Sequence, residues 1–259
     1  MDRHGDTKEQ KKLIANARRL ANEELEYDCR LHFSTPDGNT VFVNRNYETD
    51  YWILLVHGLG SSAYKMSPYA KHFLEKGFNV LTLDIKGGNL NVAKTLKSSV
   101  EHVLLKYSHV KKIGVFAQSL GASATIEVYS KLERKPNFLI LESPVESLPD
   151  GIDRLCEKHN LLKLLRKPLL KWCNKHKEEI PYAVEDFVKH IKSPSLWLSS
   201  KRDWLCPMYI ALRMHNSLRY LGRAAKFEAF ESQHCRSMWR EPEKFWKTID
   251  SFISNYVIG

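Results

Sequence analysis

Lys112-Ile-Gly-Val-Phe-Ala-Gln-Ser-Leu-Gly-Ala-Ser-Ala-Thr125 is the stretch from which the fold is read. A short apolar run, Ile113 to Phe116, leads through Ala117-Gln118-Ser119-Leu120-Gly121 straight into a helical pattern from Leu120 to Leu132. This is the layout of a nucleophile elbow, with Ala117 where Gly-x-Ser-x-Gly has its first glycine. Small residues two before and two after the serine let a tight turn pack against its neighbours. The turn points the Ser119 hydroxyl out at the top of the sheet, and the helix aims its amino terminus at any negative charge developing there. By itself the motif also fits a strand-to-helix turn that merely contains Ser and Gly.

Working outward, continuous apolar runs of strand length recur at Tyr51 to Val56, Val80 to Ile85, Phe138 to Leu141 and Leu196 to Leu198, with a further strand at Lys226 to Phe230. Such runs belong to strands buried on both faces. Helical patterns lie between them at Lys65 to Lys76, Val92 to Lys106, Met208 to Tyr220 and Pro242 to Tyr256. Alternation of this kind implies right-handed crossovers and an α/β fold with a mainly parallel sheet covered on both faces. Two flanking strands, Tyr27 to Ser34 and Thr40 to Asn46, are joined by Thr35-Pro36-Asp37-Gly38-Asn39, a turn signal that makes them an antiparallel hairpin. Ahead of them, residues 1–26 hold an amphipathic surface helix with Leu13, Ile14, Ala17, Leu20 and Ala21 at helical spacing. The 259 residues read as a single domain. One interval, 143–194, breaks the alternation. A helical insertion leaving the carboxyl end of a strand is expected over the ligand crevice, as a lid.

Four features in order resemble the α/β-hydrolase superfamily, over the chain from about Tyr27 onward: His57-Gly58-Leu59-Gly60, Ala117 to Gly121, Leu196 to Pro207 and Phe230-Glu-Ser-Gln-His-Cys235. The resemblance implies a catalytic triad of Ser119 as nucleophile, Asp203 as acid and His234 as base, in the order that this fold uses. It implies an oxyanion hole from the backbone N–H groups of Leu59 and Leu120, with Gly58 and Gly60 allowing close backbone approach. His57 reads as a structural histidine. Glu142, just after a strand, is a rival to Asp203 for the acid, and Gln118 is either a pocket residue or filler. The stretch Asp84-Ile-Lys-Gly-Gly88 resembles a shortened form of the family's Asp-x-Arg-Gly-x-Gly-x-Ser. Serine at position 119, where dehalogenases and epoxide hydrolases carry Asp, argues against those reactions.

The implied reaction is hydrolysis of a carboxylic ester or thioester through an acyl-enzyme, which needs no cofactor. Esterase or lipase-like cleavage of a medium acyl group ranks first, acyl-thioesterase second and peptidase third. The alternative is an idle hydrolase scaffold that binds a membrane surface or a protein. Forty Lys and Arg against thirty Asp and Glu leave a formal charge of +10, which favours anionic partners. Much of that charge falls in the insertion, where Arg154, Lys158, Lys163, Arg166, Lys167, Lys171, Lys175 and Lys177 are set against Glu157 and interleaved with leucines and Trp172. Two readings stand: leucines packed on the core with lysines solvated, or a basic lid in contact with an anionic membrane. Pro168 divides the segment into two helices. No nucleic-acid reading module accompanies the charge, and His4, His102, His109, His159, His176 and His190 show no metal-ligand spacing. Five dispersed cysteines, Cys29, Cys156, Cys173, Cys206 and Cys235, read as reduced thiols. With no signal-peptide pattern and no spanning run, the expected location is cytoplasmic. Oligomeric state is not encoded in any pattern read here.

Overall fold

The computed structural model describes residues 6–28, 31–46, 49–86 and 89–258; Cys29, His4, Gly87 and Gly88 lie outside them. In chain order the elements are α1 (Lys8–Asp28), β1 (Leu31–Ser34), β2 (Thr40–Asn44), β3 (Tyr51–Val56), α2 (Ala63–Glu75), β4 (Asn79–Asp84), α3 (Asn89–Lys106), β5 (Lys112–Gln118), α4 (Leu120–Tyr129) and β6 (Phe138–Glu142). They continue with α5 (Leu148–Lys158), a 3-10 turn at Asn160–Leu165, α6 (Arg166–Lys175), α7 (Val184–Val188), β7 (Ser195–Ser200), α8 (Met208–Tyr220), β8 (Ala225–Phe230), α9 (Ser237–Arg240) and α10 (Pro242–Ile253). The eight strands form one sheet in the order β1-β2-β4-β3-β5-β6-β7-β8. The β1–β2 and β2–β4 pairings are antiparallel and all the others parallel, so the expected hairpin edges a parallel sheet.

Both faces of the sheet are covered, and strand alternation sorts the side chains between them. Trp52, Leu54 and Val56 of β3, with Ile113, Val115 and Ala117 of β5, face the cluster built with α3, α4, α8 and the 143–194 segment. Ile53 and Leu55, with Phe116, face the other cluster, built from Met66, Tyr69 and Phe73 of α2 and Phe245, Ile249 and Phe252 of α10. Helix α4 is buried along its whole length, as its all-round apolar composition dictates. Its one acid, Glu127, is neutralised by Lys97 of α3 at 2.7 Å.

Three local expectations are corrected. Residues 27 and 28 end α1 and do not open β1. The chain breaks at His159, ahead of Pro168, which sits in the first turn of α6. There its missing N–H costs nothing, because first-turn N–H groups have no intrahelical acceptor. Arg154 and Arg166 are not set against Glu157: Arg154 forms a two-pronged pair with Glu146 at 2.6 and 2.7 Å, and Arg166 one with Asp153 at the same distances.

Within 143–194, Val145, Leu148, Ile152, Cys156, Cys173, Ile180, Val184, Val188 and Ile191 are buried in the α3–α4 cluster, and Leu162, Leu169, Leu170 and Trp172 pack against it. Leu164 and Leu165 stay exposed. Among the described residues, no helix is long and apolar enough to cross a membrane.

Candidate active site

β5 ends at Gln118 and α4 begins at Leu120, leaving Ser119 alone between strand and helix at φ 53°. Among the described non-glycine residues, only Ser119, Ser143 and Cys235 have positive φ. All three lie in loops leaving the carboxyl ends of parallel strands. Strained backbone of this kind persists only where packing over-determines it, and it clusters at functional sites. Here the Ser119 N–H donates to the Glu142 carbonyl at 2.8 Å, locking the elbow to β6. A Cβ on Gly121 would lie 2.5 Å from the His57 carbonyl oxygen, and one on Gly58 would lie 2.8 Å from the Ser119 Cβ. Both positions therefore demand glycine, and the turn after β3 is pressed directly onto the elbow.

Ser119, His234 and Asp203, 31 residues or more apart in sequence, meet in a hydrogen-bonded line. The Ser119 hydroxyl lies 3.0 Å from His234 Nε2, and His234 Nδ1 lies 2.7 Å from Asp203 Oδ2. The other oxygen of Asp203 accepts the Leu205 N–H at 3.0 Å and the Cys206 N–H at 2.8 Å, an Asx-type turn that fixes the carboxylate plane. The loops after β7 and β8 are tied by serines: Ser200 Oγ lies 2.7 Å from Ser232 Oγ and 3.2 Å from Ser237 Oγ. Burial disfavours the His234 imidazolium, but the adjacent Asp203 carboxylate outweighs it and holds the pKa well above the ordinary 6.5. Asp203, Cys206 and His234 also form a group of potential metal ligands with ligand atoms within 4.8 Å of one another. Both Asp203 oxygens are already hydrogen-bonded, and burial pushes the Cys206 thiol up to about 11, so it stays protonated. Cys156, Cys173, Cys206 and Cys235 are free.

Other sequence candidates fall into different places. His57 is fully buried; the Ile85 N–H donates to its Nε2 at 3.2 Å, so Nδ1 carries the proton and donates to the Gly58 carbonyl at 2.9 Å. Burial lowers its pKa, and this neutral ring braces two loops. Glu142, the rival acid, lies under the elbow, where its Oε2 accepts the Gln118 amide at 2.7 Å. That amide also donates to the Tyr69 hydroxyl at 2.9 Å. Burial raises the Glu142 pKa, favouring its neutral form. Gln118 both lines the cavity above Ser119 and anchors this network.

The cavity at Ser119 measures about 80 Å³ and is lined in part by Gly58, Leu59 and Gln118; Gly60 is not among its lining residues. Gly60 instead takes positive φ and accepts the Lys65 ammonium on its carbonyl at 2.7 Å. No described residue of 143–194 lines this cavity. Its upper wall comes from α1 through Arg18, from α2 through Lys65 and from the histidine loop through Cys235 and Arg236. Sequence reasoning missed Arg18, Lys65, Tyr69 and Arg236, because no motif marks them and their proximity to Ser119 arises only on folding.

No family model matches the chain. A Pyrococcus furiosus esterase superposes with a TM-score of 0.73 at 18% identity, covering 90% of this chain and 93% of that one. An esterase from Exiguobacterium antarcticum reaches 0.63 at 18% identity over 86% and 98%. The enol-lactonase of Burkholderia xenovorans reaches 0.61 at 15% identity over 86% and 100%. The chain has the α/β-hydrolase fold. In sequence it is 24% identical over 227 residues to the uncharacterized protein YqkD of Bacillus subtilis, covering 81% of this chain and 73% of that protein.

Proposed function

We propose that this chain is a serine hydrolase cleaving a small carboxylic ester or thioester through an acyl-enzyme. The observation that carries the reading is the hydrogen-bonded line Ser119–His234–Asp203 with Ser119 on a strained elbow. The esterases among the structures that share the fold agree with it. Ser119 Oγ attacks the carbonyl carbon while its proton passes to His234 Nε2, and the carbonyl π electrons move onto oxygen. The Leu59 and Leu120 N–H groups receive that oxyanion, the latter at the amino terminus of α4. Collapse re-forms the carbonyl and breaks the bond to the leaving alkoxide or thiolate, which takes the proton from His234. Water, deprotonated by the same imidazole, then releases the acid and restores Ser119. Asp203 holds the tautomer and stabilises the imidazolium.

The acyl group is short. The cavity of about 80 Å³ is well below the roughly 300 Å³ and more of pockets for larger ligands, which moves the reading away from a medium chain. The test is hydrolysis of p-nitrophenyl esters from acetate upward, with fluorophosphonate labelling and Ser119→Ala as control. Turnover that is highest for the shortest esters and absent in the variant is expected. A wild-type protein that neither labels nor turns over any ester overturns the assignment.

A further inference from the structure

We infer that the substrate carries an anionic group, a carboxylate or phosphate, and that Arg18 of α1 recognises it at the mouth of the cavity above Ser119. The inference rests on the proposed serine hydrolase activity for the identity of the reacting bond and on Arg18 for the charge.

Three cationic side chains, Arg18, Lys65 and Arg236, line this small cavity. Their counter-charges are unequally provided. Arg236 donates from Nε to Asp6 Oδ2 at 2.9 Å, and Arg240 reaches Asp6 Oδ1 at 3.0 Å, so one buried carboxylate serves two guanidinium groups. Arg18 is different. Its Nε is buried without a hydrogen-bond partner, and no carboxylate of the described residues forms an ion pair with it. Its guanidinium carbon sits 5.5 Å from the centroid of the Trp239 ring, which holds the group in place and leaves its edge to be satisfied by something else. Burial, and then the neighbouring Arg236 cation, lower the Arg18 pKa.

The remaining acids near the site do not supply the missing charge. Asp203 is committed to His234 and to two backbone N–H groups, and Glu142 lies beneath the elbow with its ionisation disfavoured. A half-buried guanidinium left unmatched beside a reactive serine is costly unless an incoming anion completes it. The anion therefore arrives with the substrate. Its placement at the mouth also explains why α1, and not the basic insertion, forms the wall.

Binding decides the matter, because Ser119→Ala does not consume esters under the proposed mechanism. Titration calorimetry of that variant compares monoethyl glutarate with ethyl valerate, which match in length and differ in a terminal carboxylate. A second pair, 2-phosphooxyethyl butyrate and ethyl butyrate, places a phosphate on the alcohol side. The charged member of at least one pair is expected to bind tenfold or more tightly, the size of a charge-assisted hydrogen bond. The pair that responds tells whether the anion sits in the acyl or the alcohol part. Adding Arg18→Ala should erase the preference, and adding Arg18→Lys should keep most of it. If the alanine variant melts early, Arg18→Gln repeats the test with a longer neutral side chain. Equal binding of charged and neutral members in both pairs overturns the inference, as does a preference that survives loss of Arg18. Turnover of p-nitrophenyl acetate by the wild type is read separately. Turnover without a charge preference removes the anion site alone, whereas Arg18-dependent binding without labelling or turnover removes the hydrolase reading alone.

Discussion

Helix α1 and the 143–194 insertion are both amphipathic, both rich in charge and both appended to the alternating core, yet the fold uses them in opposite ways. The insertion is built into the interior. Its apolar residues join the α3–α4 cluster, and Glu127 of α4 accepts the Tyr182 and Ala183 N–H groups at 2.8 and 3.3 Å while pairing with Lys97. Lys97 in turn donates to the Glu178 and Ile180 carbonyls at 3.0 and 3.2 Å. Helix α1 buries Ile14 and Ala21 and is otherwise tied by polar contacts, Asn22 to Ser67 and Glu24 to Lys71 on α2. The better-buried appendage contributes nothing to the described wall of the catalytic cavity, and the lightly held one supplies Arg18. Apolar periodicity tells that a segment will pack, but not on what.

That contrast separates residues of the reaction from residues of the fold, and substitutions should respect the division. Ser119→Ala sets the upper bound. It should reduce kcat for p-nitrophenyl acetate by at least about 10⁴-fold while leaving the melting temperature near wild type; a smaller loss means that another group does the chemistry. On the insertion side, Glu127→Ala strands Lys97 and two backbone N–H groups in the interior. Urea unfolding should show a loss of about 3–5 kcal/mol, and a loss below about 1 kcal/mol means the insertion is not pinned there.

Arg18→Ala should behave in the opposite sense to Glu127→Ala. Stability should change by less than about 1 kcal/mol, since exposed polar ties hold α1, while discrimination between anionic and neutral esters falls by about tenfold. Equal effects of both substitutions on unfolding would erase the contrast drawn here.

The base must be neutral to accept the serine proton, so kcat/KM should rise with pH through the raised pKa of His234, with its acid limb above the ordinary 6.5. The stabilising effect of the Asp203–imidazolium pair runs the other way. It is fully present below the unfolded value and is lost as pH rises through the folded one. Activity and this contribution to stability should therefore cross in paired pH titrations; an acid limb at or below 6.5 contradicts the geometry. The smallest effect belongs to Leu164, 84% exposed on the insertion. Leu164→Lys should move stability by no more than about 0.5 kcal/mol, and a larger loss would mean this end of the insertion is covered in solution.

Much of the fold was legible without coordinates. The strand runs, the hairpin turn and the elbow are read from contiguous residues, because backbone geometry and local side-chain volume act over a few positions. The line Ser119–His234–Asp203 could be anticipated for a related reason: each member sits just beyond a strand of a parallel sheet, where chain order and handedness bring loops to one edge. Other outcomes had no local trace. Whether Gln118 faces the cavity or Glu142, which carboxylate His234 meets, and whether α1 or the insertion walls the site all depend on which surfaces fit after the sheet has formed. Arg18 and Ser119 are separated by an entire helix, hairpin and half the sheet. Their proximity was decided by the docking of α1 on α2 and of Asp6 on Arg236, contacts that exist only between surfaces the tertiary structure creates.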